Sequence, residues 1–279
     1  AFIFYGSLLG SVREGGPIGH DDDFDCAYIS RAKTGEEVKQ EVMEMALVLI
    51  EAGFSVDLRS RCVHLHDLET DQRIDIFHAW FADDGRLRIP WGVAGTTPFT
   101  EADWQGTEEV PFAGGTVLQP RNAELMVAHL YGDDWRQPKP GFNWALSRTD
   151  AAGEGRFSDP ERTKIYWANF YARNKYTAGS TFFEFVNAHD AVTDTVVDIG
   201  CGDGRDSCAF GGAGRRVLGL DQSPVGIENA SAKAAELGVA ERVRFEVCDV
   251  ADVDALGAVL AAGVAAAEPA EVGAVDAGG

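Results

Sequence analysis

Four aspartates fall within five residues: Asp21, Asp22, Asp23 and Asp25, in "GHDDDFDCAYI". The "CAYI" that follows reads as a strand, where residues i and i+2 project to one face. Asp23 and Asp25 therefore point the same way, with Phe24 opposite. Two carboxylates a few ångströms apart repel, and one takes up a proton unless a cation lies between them. Hard oxygen donors suit Mg²⁺ (or Mn²⁺), which keeps one or two protein carboxylates and takes phosphate oxygens for the rest. That pattern points to displacement at phosphorus. Asp23 and Asp25 are the candidate metal ligands.

Upstream, "YGSLLGSVREGG" follows a short apolar run. Gly6 and Ser7 open a helix whose N-terminus can present N–H groups and a hydroxyl to phosphate. Arg13 is a candidate phosphate partner, or it pairs with a surface acid. A third acid is Asp75, in "RIDIF". A hairpin turn at Glu69–Gln72 would pair Leu68 with Arg73 and His66 with Asp75, so that His64 and His66 share a face with Asp75. His66 and Asp75 could then share a proton or orient an acceptor hydroxyl. Cys62, His64 and His66 would also share a face. That leaves two readings, a zinc site or a polar wall.

A second constellation lies downstream. "TVVDIGCGDGRD" is an apolar strand followed by Gly200, Gly202 and Gly204, where the chain turns sharply and a ligand can approach the backbone. "RRVLGLDQS" ends its strand with Asp221, placed for ribose hydroxyls. "VRFEVCDV" ends with Asp249, placed for an adenine amino group. Asp198 closes the first strand of the set. Asp203 and Asp206 read as helix-start charges.

The elements that carry these residues form two sets. Residues 1–30 read as strand, helix, strand. "TGEEVKQEVMEMALVLIEAGF" is an amphipathic helix, capped by Thr34 or Gly35. Two or three strands follow to about residue 80, then short strands and loops to 120, then a helix at "NAELMVAHLYG". Pro/Gly-rich segments place a boundary between about 140 and 165. A helix over Arg162–Arg173 opens the second set, which alternates strand and helix as a parallel sheet does. The Ala/Gly-rich end has weak strand character. The expected organisation is α/β in two domains: residues 1–148, a linker at 149–164, and residues 165–279.

The chain has 279 residues, 45% of them hydrophobic, with 24 Lys and Arg against 45 Asp and Glu, a net charge of −21. Such acidity argues against nucleic-acid partners and docking on anionic membrane. No apolar run reaches spanning length, so no membrane insertion is expected. Five cysteines with no CxxC pair suit a reducing, cytoplasmic setting. The missing Met and the opening inside a strand suggest that the true start is absent.

"GSLLGSVREGGPIGHDDDFD" resembles the LicD family, which includes fukutin-like proteins and reads "GxLLGxxRxxGxIxWDDDxD". "LQPRNAELMVAHLYGDDWRQPKP" resembles that family's later segment. His20 stands where the family has Trp. The resemblance covers about residues 1–140 and implies a nucleotidyltransferase-like α+β fold. It further implies transfer of a phospho-substituent, of phosphocholine or polyol-phosphate type, from a CDP-activated donor to a sugar hydroxyl of a glycan or its precursor. Carried over, Asp23 and Asp25 are metal ligands, Asp75 a third acid or base, and Gly6, Ser7 and Arg13 phosphate partners. Asp21 and Asp22 fit the motif without an assigned role. The glycine-loop set resembles class I methyltransferases dependent on S-adenosyl-L-methionine, which implies a Rossmann-like parallel sheet with Asp198, Gly200, Gly202, Gly204, Asp221 and Asp249 at the cofactor. Only three strands are legible, so that domain reads as incomplete and unable to methylate. The rival readings are a nucleotidyltransferase that makes an activated donor or adenylylates a target, and a non-catalytic binding protein.

Overall fold

The computed structural model describes residues 1–19, 21, 23–139, 154–174, 178–189 and 193–265. It is a mixed α/β chain that divides into two compact units, Ala1–Asn169 and Phe170–Gly279.

The first unit is built on strand β1 (Phe2–Ile3), helix α1 (Tyr5–Glu14), strand β2 (Asp25–Ser30) and helix α2 (Gly35–Glu51), then strands β3 (Ser55–Leu58), β4 (Val63–Asp67), β5 (Gln72–Phe81) and β6 (Leu87–Arg88). The sheet order is β1-β2-β5-β4-β3, with β6 on β5. β2 and β5 run parallel, and the other pairs are antiparallel. β7 (Thr107–Phe112) and β8 (Gly115–Pro120) form a separate hairpin, followed by helix α3 (Ala123–Tyr131). Thr34 caps α2 in a reciprocal box with Glu37, and Gly15 ends α1 in the left-handed region. Phe4, Leu8, Phe77, Met126 and Leu130 pack the core between α1, α3 and the sheet.

The hairpin register differs from the expected one. The turn spans Leu68–Asp71, so Asp67 pairs with Gln72, His66 with Arg73 and His64 with Asp75. Asp67 fixes this by accepting bonds from the Glu69 N–H (3.0 Å) and the Thr70 hydroxyl (2.7 Å), while Asp71 takes a φ of +56°. The shift of two residues keeps every side chain on its face but replaces His66 by His64 opposite Asp75.

Residues 154–169 pack on the first unit. The Phe157 N–H donates to Ser60 O (2.9 Å), and the Val56 N–H donates to Asn169 Oδ1 (3.2 Å). Buried His78 meets Gly155 O at 2.8 Å. The described part of the expected 149–164 linker is thus attached to the first unit, and the division falls within helix α4 (Asp159–Arg173).

After helix α5 (Thr181–Asn187), the second unit is a three-stranded parallel sheet. Strands β9 (Thr195–Ile199), β10 (Arg216–Asp221) and β11 (Val243–Val247) alternate with helices α6 (Arg205–Gly212) and α7 (Pro224–Glu236). Strand order is β11-β10-β9. The Ala-rich stretch expected to have strand character is helix α8 (Val253–Ala265), through residue 265; alanine is the best helix former. Residues 266–279 lie outside the described residues. No helix among the described residues is long and apolar enough to cross a membrane.

Candidate functional sites

The parallel pairing of β2 with β5 sets Asp25 beside Asp75, and the next pairing sets His64 beside Asp75. Aligned residues on neighbouring strands share a face, so the three form one row across the sheet. Asp21 and Asp23 precede β2 and bring their carboxylates to Asp25, with one oxygen of each within 4.8 Å of the others. The acids line a cavity of about 710 Å³ together with Gly6, Arg13, His64 and Asp75. Trp91, Tyr131, Trp135 and Lys139 also line it.

The strand-to-helix turn before α1 serves this row. Tyr5 has a φ of +32°, which non-glycine residues rarely adopt, and its buried hydroxyl donates to Gly92 O (2.8 Å). The next N–H, from Gly6, donates to Asp25 Oδ2 at 2.7 Å. A Cβ on Gly6 would stand 2.3 Å from Asp21 Oδ2, so any other residue there must displace that carboxylate. Ser7 is buried, and its Oγ accepts from the Asp25 N–H (2.9 Å). It anchors the start of β2 from behind and is absent from the cavity lining, unlike the phosphate partner expected from sequence. Arg13 does line the cavity, while its Nε donates to Glu14 (2.9 Å).

Asp25 is 8% exposed. Burial, then the charge of Asp23, pushes its carboxyl up to about 8 against the one Gly6 N–H. Burial also raises Asp75, opposed by His64, whose Nε2 stands 3.5 Å from Asp75 Oδ2. Cys62 is fully buried, and burial with the Asp75 charge pushes its thiol up to about 12. Its sulfur lies within 4.8 Å of a donor atom of each of His64 and Asp75.

His66 belongs to the hairpin tip, where Nε2 meets Asp71 Oδ1 at 2.6 Å. It lines no part of the cavity. His66 therefore gives way to His64 as the neighbour of Asp75, and in the expected Cys62, His64 and His66 cluster Asp75 stands in its place. Asp21, left without a role by the sequence, joins Asp23 and Asp25; its alternate spacing with them was the available signal. Asp22 and His20 lie outside the described residues.

In the second unit the acids are internally bonded. Asp221 is 8% exposed at the end of β10. Its Oδ2 accepts from the Gly202 N–H (2.9 Å) and its Oδ1 from the Ser223 N–H (2.8 Å). Asp198 accepts from Ser207 Oγ (2.6 Å), and burial raises its carboxyl. Gly200, Gly202 and Gly204 have φ of +76°, +56° and +71°. A Cβ on Gly202 would stand 2.3 Å from Tyr171 Oη, whereas one on Gly200 meets nothing within 4 Å. Asp249 follows β11, and its Oδ1 accepts from the Ala251 N–H (3.1 Å). Asp203 pairs with Lys233 (2.6 Å), and Asp206 accepts from the Ser180 N–H (2.6 Å) and hydroxyl.

Residues 1–122 match the LicD/FKTN/FKRP nucleotidyltransferase domain. Residues 191–261 match a methyltransferase domain. The two matches mark the chain as a transferase. Three solved structures are similar over short stretches. One belongs to the conversion of a disulfide bond into a thioacetal group in echinomycin biosynthesis: 28% identity, 31% of this chain, 39% of that one, TM-score 0.28. Another is a SAM-dependent methyltransferase from Geobacter sulfurreducens with S-adenosyl-L-homocysteine: 26% identity, 28% and 33% covered, TM-score 0.25. The third is geranyl diphosphate C-methyltransferase from Streptomyces coelicolor A3(2): 32% identity, 25% and 28% covered, TM-score 0.24. The chain thus spans between about a quarter and two fifths of the length of these structures. No curated protein matches it.

Proposed function

We propose that the first unit has a nucleotidyltransferase-type fold and is a metal-dependent phosphotransferase. It moves a phospho-substituent from a CDP-activated donor to a sugar hydroxyl of a glycan or glycan precursor and releases CMP. The observation that carries this reading is the triad Asp21, Asp23 and Asp25, whose carboxylate oxygens converge in a cavity where burial works against the charge of Asp25. Three converging hard oxygen donors fit a divalent cation such as Mg²⁺. When bound there, the cation supplies charge neutralisation for the donor's phosphates. The chain's own residues do the rest. Gly6 keeps Asp25 oriented, and Arg13 and Lys139 bring positive charge to the phosphate side. Trp91, partly exposed in the cavity wall, offers ring surface for a base or sugar ring. Asp75 and His64 face the side where the acceptor hydroxyl is held.

The second unit binds S-adenosyl-L-methionine in this reading. The match to a methyltransferase domain supports it, as do three positive-φ glycines that join β9 to α6 at the carboxyl ends of parallel strands. Asp221 braces the loop through Gly202, and its remaining lone pairs accept ribose hydroxyls. Asp249 stands at the end of the third strand for the adenine.

Product analysis tests the transfer reading. Incubation with CDP-linked alcohols, a sugar acceptor and Mg²⁺ should release CMP. Release of pyrophosphate from a nucleoside triphosphate instead would show nucleotidyl transfer and overturn it.

A further inference from the structure

The geometry points to a second cation site beside the acidic cluster: Cys62, His64 and Asp75 form a three-donor site for a transition metal of the zinc type. One donor atom from each lies within 4.8 Å of the other two. His64 Nε2 and Asp75 Oδ2 are 3.5 Å apart. Ligand atoms about 2.0–2.1 Å from zinc at tetrahedral angles lie about 3.3 Å from each other, so this pair is already close to coordination spacing.

Each donor sits on rigid backbone. The Arg59 N–H donates to Cys62 O (2.9 Å), closing the tight turn from β3 to β4 and fixing Cys62 at the strand's start. His64 and Asp75 are direct partners across β4 and β5, and the Asp75 N–H donates to Phe24 O (2.9 Å). Little reorganisation separates this arrangement from a closed site.

The donor set decides the metal class. Sulfur and imidazole favour zinc, cobalt or copper over magnesium, whereas Asp21, Asp23 and Asp25 offer only hard oxygen. A thiolate and a carboxylate neutralise a divalent ion, and three protein ligands leave a fourth position. Cys62 is enclosed while His64 and Asp75 line the cavity, so that position faces the cavity. An acceptor hydroxyl or water can occupy it. The site goes beyond the transfer reading and stands whether or not that reading holds.

Cobalt tests it on the full chain. Co²⁺ should give a near-ultraviolet thiolate-to-cobalt absorption that saturates at one equivalent. Zn²⁺ should chase it and excess Mg²⁺ should not. His64→Ala, at a half-exposed position, should weaken cobalt binding by at least the roughly tenfold that loss of even an outer-shell partner costs. Cys62→Ser should remove the thiolate band. Asp23→Asn should keep the band while losing Mg²⁺-dependent nucleotide binding, which separates this site from the acidic cluster. Absence of the band, or a band undiminished in His64→Ala, overturns the assignment. So does loss of the band in Asp23→Asn, which would make thiolate-bound cobalt depend on the acidic cluster.

Discussion

The two units treat buried carboxylates in opposite ways. Around the first cavity, Asp25 holds one backbone N–H against the charges of Asp21, Asp23 and Asp75. In the glycine loop, Asp221 has a backbone donor on each oxygen, Asp198 has the Ser207 hydroxyl, and Asp203 has Lys233. A buried acid with internal donors braces backbone, whereas one buried beside other carboxylates is pushed toward its protonated form. In the proposed reading, the first arrangement gives up apo stability for cation affinity. The second builds a rigid cradle in advance.

The sharpest way to break this contrast is to remove one acid from each unit. Asp23→Asn should leave the fold intact and cut transfer by about a hundredfold to a thousandfold, the several kcal/mol of a lost metal contact. Comparing turnover and melting temperature of the two proteins checks this. Normal turnover would return the acids to a surface role. Asp221→Ala should instead damage structure and ligand binding together. It strands the Gly202 and Ser223 N–H groups, each bond to a charged acceptor being worth about 1.5–3 kcal/mol. Calorimetry with S-adenosyl-L-homocysteine should show binding weakened about tenfold or more. Tight, unchanged binding would remove Asp221 from the site.

The pH response should differ as well. Folding raises the Asp25 carboxyl to about 8, with Asp75 shifted the same way. A raised acid binds its proton more strongly in the folded state, so its contribution is present below the ordinary carboxylate range and is lost as pH rises toward 8. Without metal, the melting temperature should fall across that window, and Mg²⁺ should restore most of the loss at pH 8. A metal-free curve that rises from pH 5 to 8 would contradict the uncompensated cluster.

Glycine substitutions sharpen the rigid side of the comparison. Gly200→Ala faces open space and should cost only the left-handed backbone penalty, about 1–2 kcal/mol. Gly202→Ala adds a clash with Tyr171 Oη and should cost more. Urea denaturation of both variants checks the order.

Much of this was legible in the chain because local chemistry determined it. Thr34 and Glu37 announce the start of α2, and Gly15 its predecessor's end. Strand–helix alternation over 195–247 gives a parallel sheet without further information. What escaped depended on longer-range terms. The sequence shows alternation in β4 and β5 but not which residue opens the turn; Asp67 settles that by bonding Glu69 and Thr70. Ser7 looked like a phosphate partner because its type and place fit, yet the start of β2 takes its oxygen. Residues 154–169 read as linker and early second domain, but Phe157 and Asn169 bond to strands and turns of the first unit.

The smallest expected effect tests that register. His66 and Asp71 form an exposed pair at the hairpin tip, 2.6 Å apart, with the Asp71 side chain 82% exposed. Exposed pairs contribute about 0–1 kcal/mol, because water screens the charges and ordering the side chains costs entropy. His66→Ala should therefore shift stability by less than about 1 kcal/mol, and it should leave transfer and cobalt absorption unchanged. His64 is only two residues away on the same face, but it stands against Asp75 on the cavity wall. His64→Ala should change acceptor KM or cobalt affinity while stability moves little. The pair of variants separates two registers that place the same residue types on the same face. If His66→Ala impaired transfer and His64→Ala did not, the turn would lie one residue later, at Glu69–Gln72, and His66 would again stand opposite Asp75.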